Sequence, residues 1–131
     1  AKAGINKTIL ASLGGEVHCF MSDPDVAQEA RSRGVTRAFV SMEKAAALEK
    51  PCIFAIGNAP TALLSLEQLM EEGKATPALI IGVPVGFVNV EISKERIIEK
   101  ARAPYIVARG RKGGSNVAAA ICNALLYQIK R

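Results

Sequence analysis

Arg109-Gly110-Arg111-Lys112-Gly113-Gly114-Ser115 puts three cations, three glycines and a hydroxyl into seven consecutive residues. Guanidinium forks match carboxylate or phosphate, and a helix starting just beyond such a loop offers N–H groups to the same charge. The segment is neither a Walker A sequence nor the dinucleotide Gly-x-Gly-x-x-Gly. A nucleotide-binding α/β domain stays open as an alternative, as does a glycine turn needed only for tight packing of helix on strand. Gly57-Asn58-Ala59-Pro60-Thr61 offers an amide, a hydroxyl and another helix start, although Asn58 reads equally well as an N-cap. Val83-Pro84-Val85-Gly86-Phe87 offers apolar surface and a backbone that can approach a flat ligand; alone it could equally be a structural loop. His18, the only imidazole, falls inside an apolar run between Val17 and Cys19, which suits a structural role better than acid–base work. No Gly-x-Ser-x-Gly elbow is present, so a hydrolytic triad has no anchor.

Each of the three loops follows a short apolar run and precedes a helical pattern. Residues 52–56 and 78–83 are continuous and apolar, as expected of strands buried on both faces, and 104–108 is a strand whose proline is best tolerated at its first position. A further strand is expected over 16–21. Residues 36–40 form a short strand or a turn into a helix over 42–49 that Pro51 ends. Other helices are expected over 7–13, stopping at Gly14-Gly15; over 25–33, behind Ser22-Asp23-Pro24 and closed by Gly34; from about Pro60 to before Gly73, with Leu63, Leu66, Leu69 and Met70 on one face; over 93–101; and over 116–130. Strands alternating with helices predict an α/β fold of three layers, α/β/α, with a mostly parallel, Rossmann-like sheet. Loops at like ends of parallel strands would then converge on one crevice.

The 131 residues read as one domain, 1–131, and a hydrophobic share of 50% is enough for a real core. No apolar run approaches the roughly 20 residues of a membrane span, and no secretory signal opens the chain. The first residue is Ala rather than Met, which points to sequence upstream. Cys19, Cys52 and Cys122 are odd in number and lie in apolar runs, as buried free thiols of a reducing compartment would. One histidine and no Cys-x-x-Cys argue against a metal site, and no cofactor is indicated. Net charge is +5, and residues 102–112 hold Arg102, Arg109, Arg111 and Lys112 with no acid. Such a run is a solvated basic face or a site for a multiply anionic ligand. Nucleic acid fits poorly, since aromatics are 5% and no stacking motif is present.

In order along the chain stand Ala3-Gly4-Ile5-Asn6, Ser22-Asp23-Pro24-Asp25-Val26-Ala27, Gly34-Val35-Thr36-Arg37-Ala38, Gly57-Asn58-Ala59-Pro60-Thr61-Ala62-Leu63, Pro84-Val85-Gly86-Phe87-Val88, Ser93-Lys94-Glu95 and the 109–115 loop. In these motifs the chain resembles the precorrin-8X methylmutase (precorrin isomerase) family over its full length. The resemblance implies a cytoplasmic homodimeric α/β isomerase of cobalamin biosynthesis. Its reaction would be an intramolecular methyl shift between neighbouring carbons of a tetrapyrrole, precorrin-8X to hydrogenobyrinate, or the cobalt-loaded equivalent. An apolar disc rimmed with carboxylates suits basic loops beside apolar ones. By the same resemblance Arg37 stands in the active site and Asn6 occupies the position of a polar contact that is threonine in some members. Asn58, Thr61, Gly86, Phe87, Arg109, Arg111 and Ser115 match substrate-binding loops, and Lys7 is a further contact. Asn89, Val90 and Ile92 are bulkier or more polar than the family's small residues there. The family's catalytic histidine belongs to an N-terminal segment upstream of residue 1, and His18 cannot inherit its role. The expectation is therefore the C-terminal two-thirds of such an enzyme, impaired alone, with the upstream segment as a separate piece a conceivable partner. The rival from another class is a noncatalytic tetrapyrrole or organic-anion binding module.

Overall fold

The computed structural model describes residues 4–12, 15–48, 52–86, 89–100 and 103–129, less the side chains of Ile9 and Ile129. Phe87, Gly14 and Pro51 lie outside the described residues, as do the far ends expected of the first helix and of those starting near 42, 93 and 116. In chain order the elements are α1 (Lys7–Ser12), α2 (Pro24–Arg33), α3 (Arg37–Ala46), β1 (Ile53–Ile56), α4 (Pro60–Glu71), β2 (Leu79–Gly82), α5 (Val90–Lys100), β3 (Tyr105–Val107) and α6 (Ser115–Ile129).

Parallel neighbours require a crossover, and α4 and α5 supply one each. The strands lie in the order β1-β2-β3, all parallel, with Ile53 opposite Leu79 and Ile80 opposite Tyr105. Alternation along the strands divides the core into two layers. Phe54, Ile56 and Ile80 face Leu63 and Leu66 of α4 and Ile97 of α5. Ile81 and Val83, with Ala55 and Leu79 beside them, face Ala118, Ile121, Cys122 and Leu125 of α6 on the other side. Helices thus cover both faces of the sheet. The expected α4 face is buried as spaced: Leu63, Leu66, Leu69 and Met70 are all in the core.

Local chemistry sets the ends of the helices. Pro24 opens α2 and Gly34, at φ 68°, closes it, its N–H bonded to the Ala30 carbonyl. Asp23 occupies the N-cap position without capping, because its carboxylate accepts from Lys44 Nζ at 2.7 Å instead. Thr36 caps α3 through a 3.1 Å bond from the Phe39 N–H, so the 36–40 segment is the first turn of a helix rather than a strand.

Three expectations need correction. Residues 16–20 join no sheet among the described residues; Phe20 packs against the Val26, Ala30 and Val40 cluster, which draws the segment towards α2 and α3. β1 is not buried on both faces: it sits at an edge of the described sheet, and Ile53 is 55% exposed. The thiols are free, but Cys19 is exposed and Cys52 and Cys122 are only partly buried.

Candidate functional site

β3 is followed by a helix that does not pack beside it. α6 crosses to the opposite face and lies over β1 and β2. To reach that place the 109–114 loop must run across the carboxyl end of β2 towards β1, and its contacts record the path. Gly113 lies against Val83 and Pro84, where a β-carbon would fall 2.2 Å from the Val83 carbonyl oxygen, a space only glycine fits. The Gly114 N–H donates to that carbonyl at 2.8 Å. At the far side Gly57, just after β1, abuts Ser115, the first residue of α6. The Val85 N–H reaches the Asn58 carbonyl at 3.4 Å, joining the loops after β1 and β2. The loops after all three described strands therefore meet at one end of the sheet, as parallel strand tips are expected to do.

Helix starts gather there as well. α4 begins at Pro60 and α6 at Ser115, directly behind the touching loops. α3 begins beside α4, since the Thr36 hydroxyl donates to the Thr61 hydroxyl at 3.4 Å; Arg37, the first residue of α3, is thereby brought to the same end. Each helix N-terminus carries about half a positive charge and favours an anion by about 0.3–1 kcal/mol at an exposed site. Pro84 is buried and Val85 partly buried, so apolar surface adjoins these positive ends, while Gly86 and Asn58 are exposed.

The basic side chains differ from the sequence expectation. Arg109 and Arg111 do not stand open towards one anion: Arg109 Nε lies 3.3 Å from Glu95, and Arg111 Nε donates to Glu91 at 3.0 Å, both acids on the exposed side of α5. A ligand carboxylate would have to exchange with these surface pairs. Lys94 of α5 passes beneath the loop, its Nζ donating to the Gly110 and Lys112 carbonyls at 2.8 Å each. Desolvation holds this ammonium's pKa below its ordinary value, against the opposing charge of Glu91.

Asn58, Thr61, Gly86, Arg109, Arg111, Ser115 and Arg37 are thus brought to one end of the molecule. Asn6 lies farther along α6. The Asn6 N–H donates to Asn123 Oδ1 at 2.7 Å and its amide to the Tyr127 hydroxyl at 3.4 Å, on α6. Asn123 follows Ser115 by eight residues, about 12 Å along the helix. Phe87 lies outside the described residues. His18 is exposed, 3.1 Å from Glu16 and stacked on Phe20, in the segment leading to α2. The roles of Glu91, Glu95 and Lys94 were not foreseen from sequence. A signal existed for Lys94, which shares the spacing of Val90 and Ile97 and so lies on the buried face of α5.

The comparisons with known proteins agree with one another. A family model described as precorrin-8X methylmutase matches residues 1–128. The cobalt-precorrin-8 methylmutase of Priestia megaterium is 49% identical over 124 residues, covering 95% of this chain and 55% of the relative. That of Salmonella typhimurium is 48% identical over 131 residues, covering 99% of this chain and 60% of the relative. The solved precorrin-8X methyl mutase of Thermus thermophilus superposes with a TM-score of 0.85 at 40% identity, over 96% of this chain and 60% of the other. The chain thus spans a little over half the length of the relatives it matches. In sequence and in fold, the chain belongs to the precorrin-8X methylmutase family.

Proposed function

We propose that these residues form the substrate-holding part of an isomerase that moves a methyl group between neighbouring ring carbons of precorrin-8X, or of its cobalt-containing equivalent. The observation that carries this is the junction of the 57–61, 83–86 and 109–115 loops at one sheet end, with apolar surface beside three helix N-termini. A flat macrocycle rimmed with carboxylates needs both kinds of surface. The methyl carbon breaks one bond and forms another on the same molecule, so no atom enters or leaves. The chain's part is to hold the ring in one orientation, which lowers the entropic share of the barrier. Anionic rim groups would meet the helix ends near Thr61 and Ser115 and the guanidinium groups of Arg37, Arg109 and Arg111. Those contacts are alike before and during migration, so they act on affinity more than on turnover. His18 lies outside these loops, so a ring-protonating acid is not sought there.

The same proposal includes a homodimer, supported by the exposed apolar side chains of Ile53, Ile106, Val117 and Tyr127. It also includes a cytoplasmic setting, supported by the free thiols. Titration with hydrogenobyrinate, followed by its visible absorbance, tests the proposal. Saturable binding that weakens as salt rises is expected. Binding of a nucleotide with none of the corrin would overturn it.

A further inference from the structure

Among the described residues Lys94 is the largest side chain wholly removed from water, at 0% exposure. A buried ammonium is tolerated only where hydrogen bonds replace its hydration. Here two do, from Nζ to the carbonyls of Gly110 and Lys112 at 2.8 Å each, and among the described residues no carboxylate stands at ion-pair distance. Both acceptors belong to the loop that spans the sheet end. A trans peptide holds its N–H opposite its carbonyl, so the ammonium orients two peptide dipoles at once. The oxygen ends lie on Lys94, and the N–H ends, of Arg111 and Gly113, face away from it. The loop is fixed a second time by the Gly114 N–H on the Val83 carbonyl. The backbone between Arg109 and Ser115 is thereby pinned from α5 and from the residue that follows β2, with Arg109 and Arg111 on either side of a pinned glycine.

We propose that Lys94 is a positioning residue of the tetrapyrrole site: through the Gly110 and Lys112 carbonyls it presets the backbone of the 109–115 loop, so that only side chains need move when the loop meets the ligand's carboxylates. This rests on the function proposed above. Lys94 touches no ligand itself. An apolar residue of similar length would leave two carbonyls without a donor, and the loop would turn to satisfy them in water.

The test compares Lys94→Met with Ile97→Val, a change in the same buried face of α5 that leaves the loop contacts in place. Both are made in the full-length protein carrying these residues. Amide exchange of residues 110–114 is read without ligand, and KM and kcat are read with precorrin-8X. For Lys94→Met, faster loop exchange and a KM raised about tenfold or more are expected, since hydrogen bonds to a charged group are worth at least that factor. Its kcat should change far less. Ile97→Val should lower the melting temperature while leaving loop exchange and KM as in the parent. An unchanged KM in Lys94→Met, or an equal rise in Ile97→Val, overturns the proposal. If Lys94→Met does not fold, Lys94→Gln, which keeps an amide donor, replaces it with an intermediate rise expected and the same refuting results. Should the parent neither bind nor convert a corrin while Lys94→Met still loosens the loop, the tetrapyrrole reading fails and the hold on the loop stands.

Discussion

A β-carbon placed on Gly57 would lie 2.7 Å from the Ser115 α-carbon, 2.9 Å from the Gly114 oxygen and 3.0 Å from the Ser115 nitrogen. Carbon atoms rest at about 3.5–4.0 Å, so Gly57→Ala asks for a displacement of about 1 Å between the end of β1 and the start of α6. All three neighbours are backbone, and none can swing aside as a flexible side chain would. α6 is also held through the 2.8 Å bond from Gly114 to Val83, so moving it strains the loop after β2 as well. Overpacking of this kind costs about 1–3 kcal/mol. For a domain of this size that is a loss of about 4–12 °C in melting temperature. Because the strain falls where three loops meet, corrin affinity should fall with stability. Gly73→Ala is the comparator: its β-carbon meets open space and its φ is 75°, so it should cost about 1–2 kcal/mol from left-handed backbone alone and leave affinity unchanged. Thermal melts and absorbance titrations of the two variants settle the matter. If Gly57→Ala melts with the parent and binds as tightly, the loops are not in the contact described.

Other outcomes follow from neighbouring features. Leu66→Ala, at a wholly buried site between α4 and the sheet, should lose about 2–5 kcal/mol in urea unfolding. Glu91→Gln removes the charge that Arg111 pairs with at 3.0 Å and should tighten binding of a polycarboxylate, by no more than about 1 kcal/mol because the pair is exposed; a weaker complex would contradict the role given to Arg111. Lys44 hydrogen-bonds Asp25 and holds its carboxyl below the ordinary 3.8, so the unfolded chain binds more protons than the native one in that acid range. The part of Lys44's contribution that runs through Asp25 should therefore be present above pH 3.8 and be lost as pH falls further, so the stability difference between the parent and Lys44→Met in pH-dependent denaturation should narrow in that acid range.

Much of this arrangement is visible in the amino-acid order. Pro60 and Gly34 mark a helix start and a helix end through backbone rules that need no tertiary partner, and the spacing of Leu63, Leu66 and Leu69 names the buried face of α4. What the order hides depends on distant partners. The 16–20 run is apolar enough for a strand, but Phe20 finds its neighbours in α2 and α3. Thr36 reads equally as the start of a short strand or of a turn until its hydroxyl meets the Phe39 N–H. In the site, the three loops are recognisable by composition. Whether the two arginines are open to a ligand depends on Glu91 and Glu95, which come earlier in the chain on another element. Asn6 shows the same limit, since its partners Asn123 and Tyr127 stand at the opposite end of the chain.

The claim that three strand-end loops form one binding surface is tested most directly by amide exchange of the protein with and without hydrogenobyrinate. Added protection should appear together in residues 57–61, 83–86 and 109–115, with none in the 16–20 segment or in α2. Protection confined to the 16–20 segment and α2, or affecting one loop while sparing the other two, would contradict it.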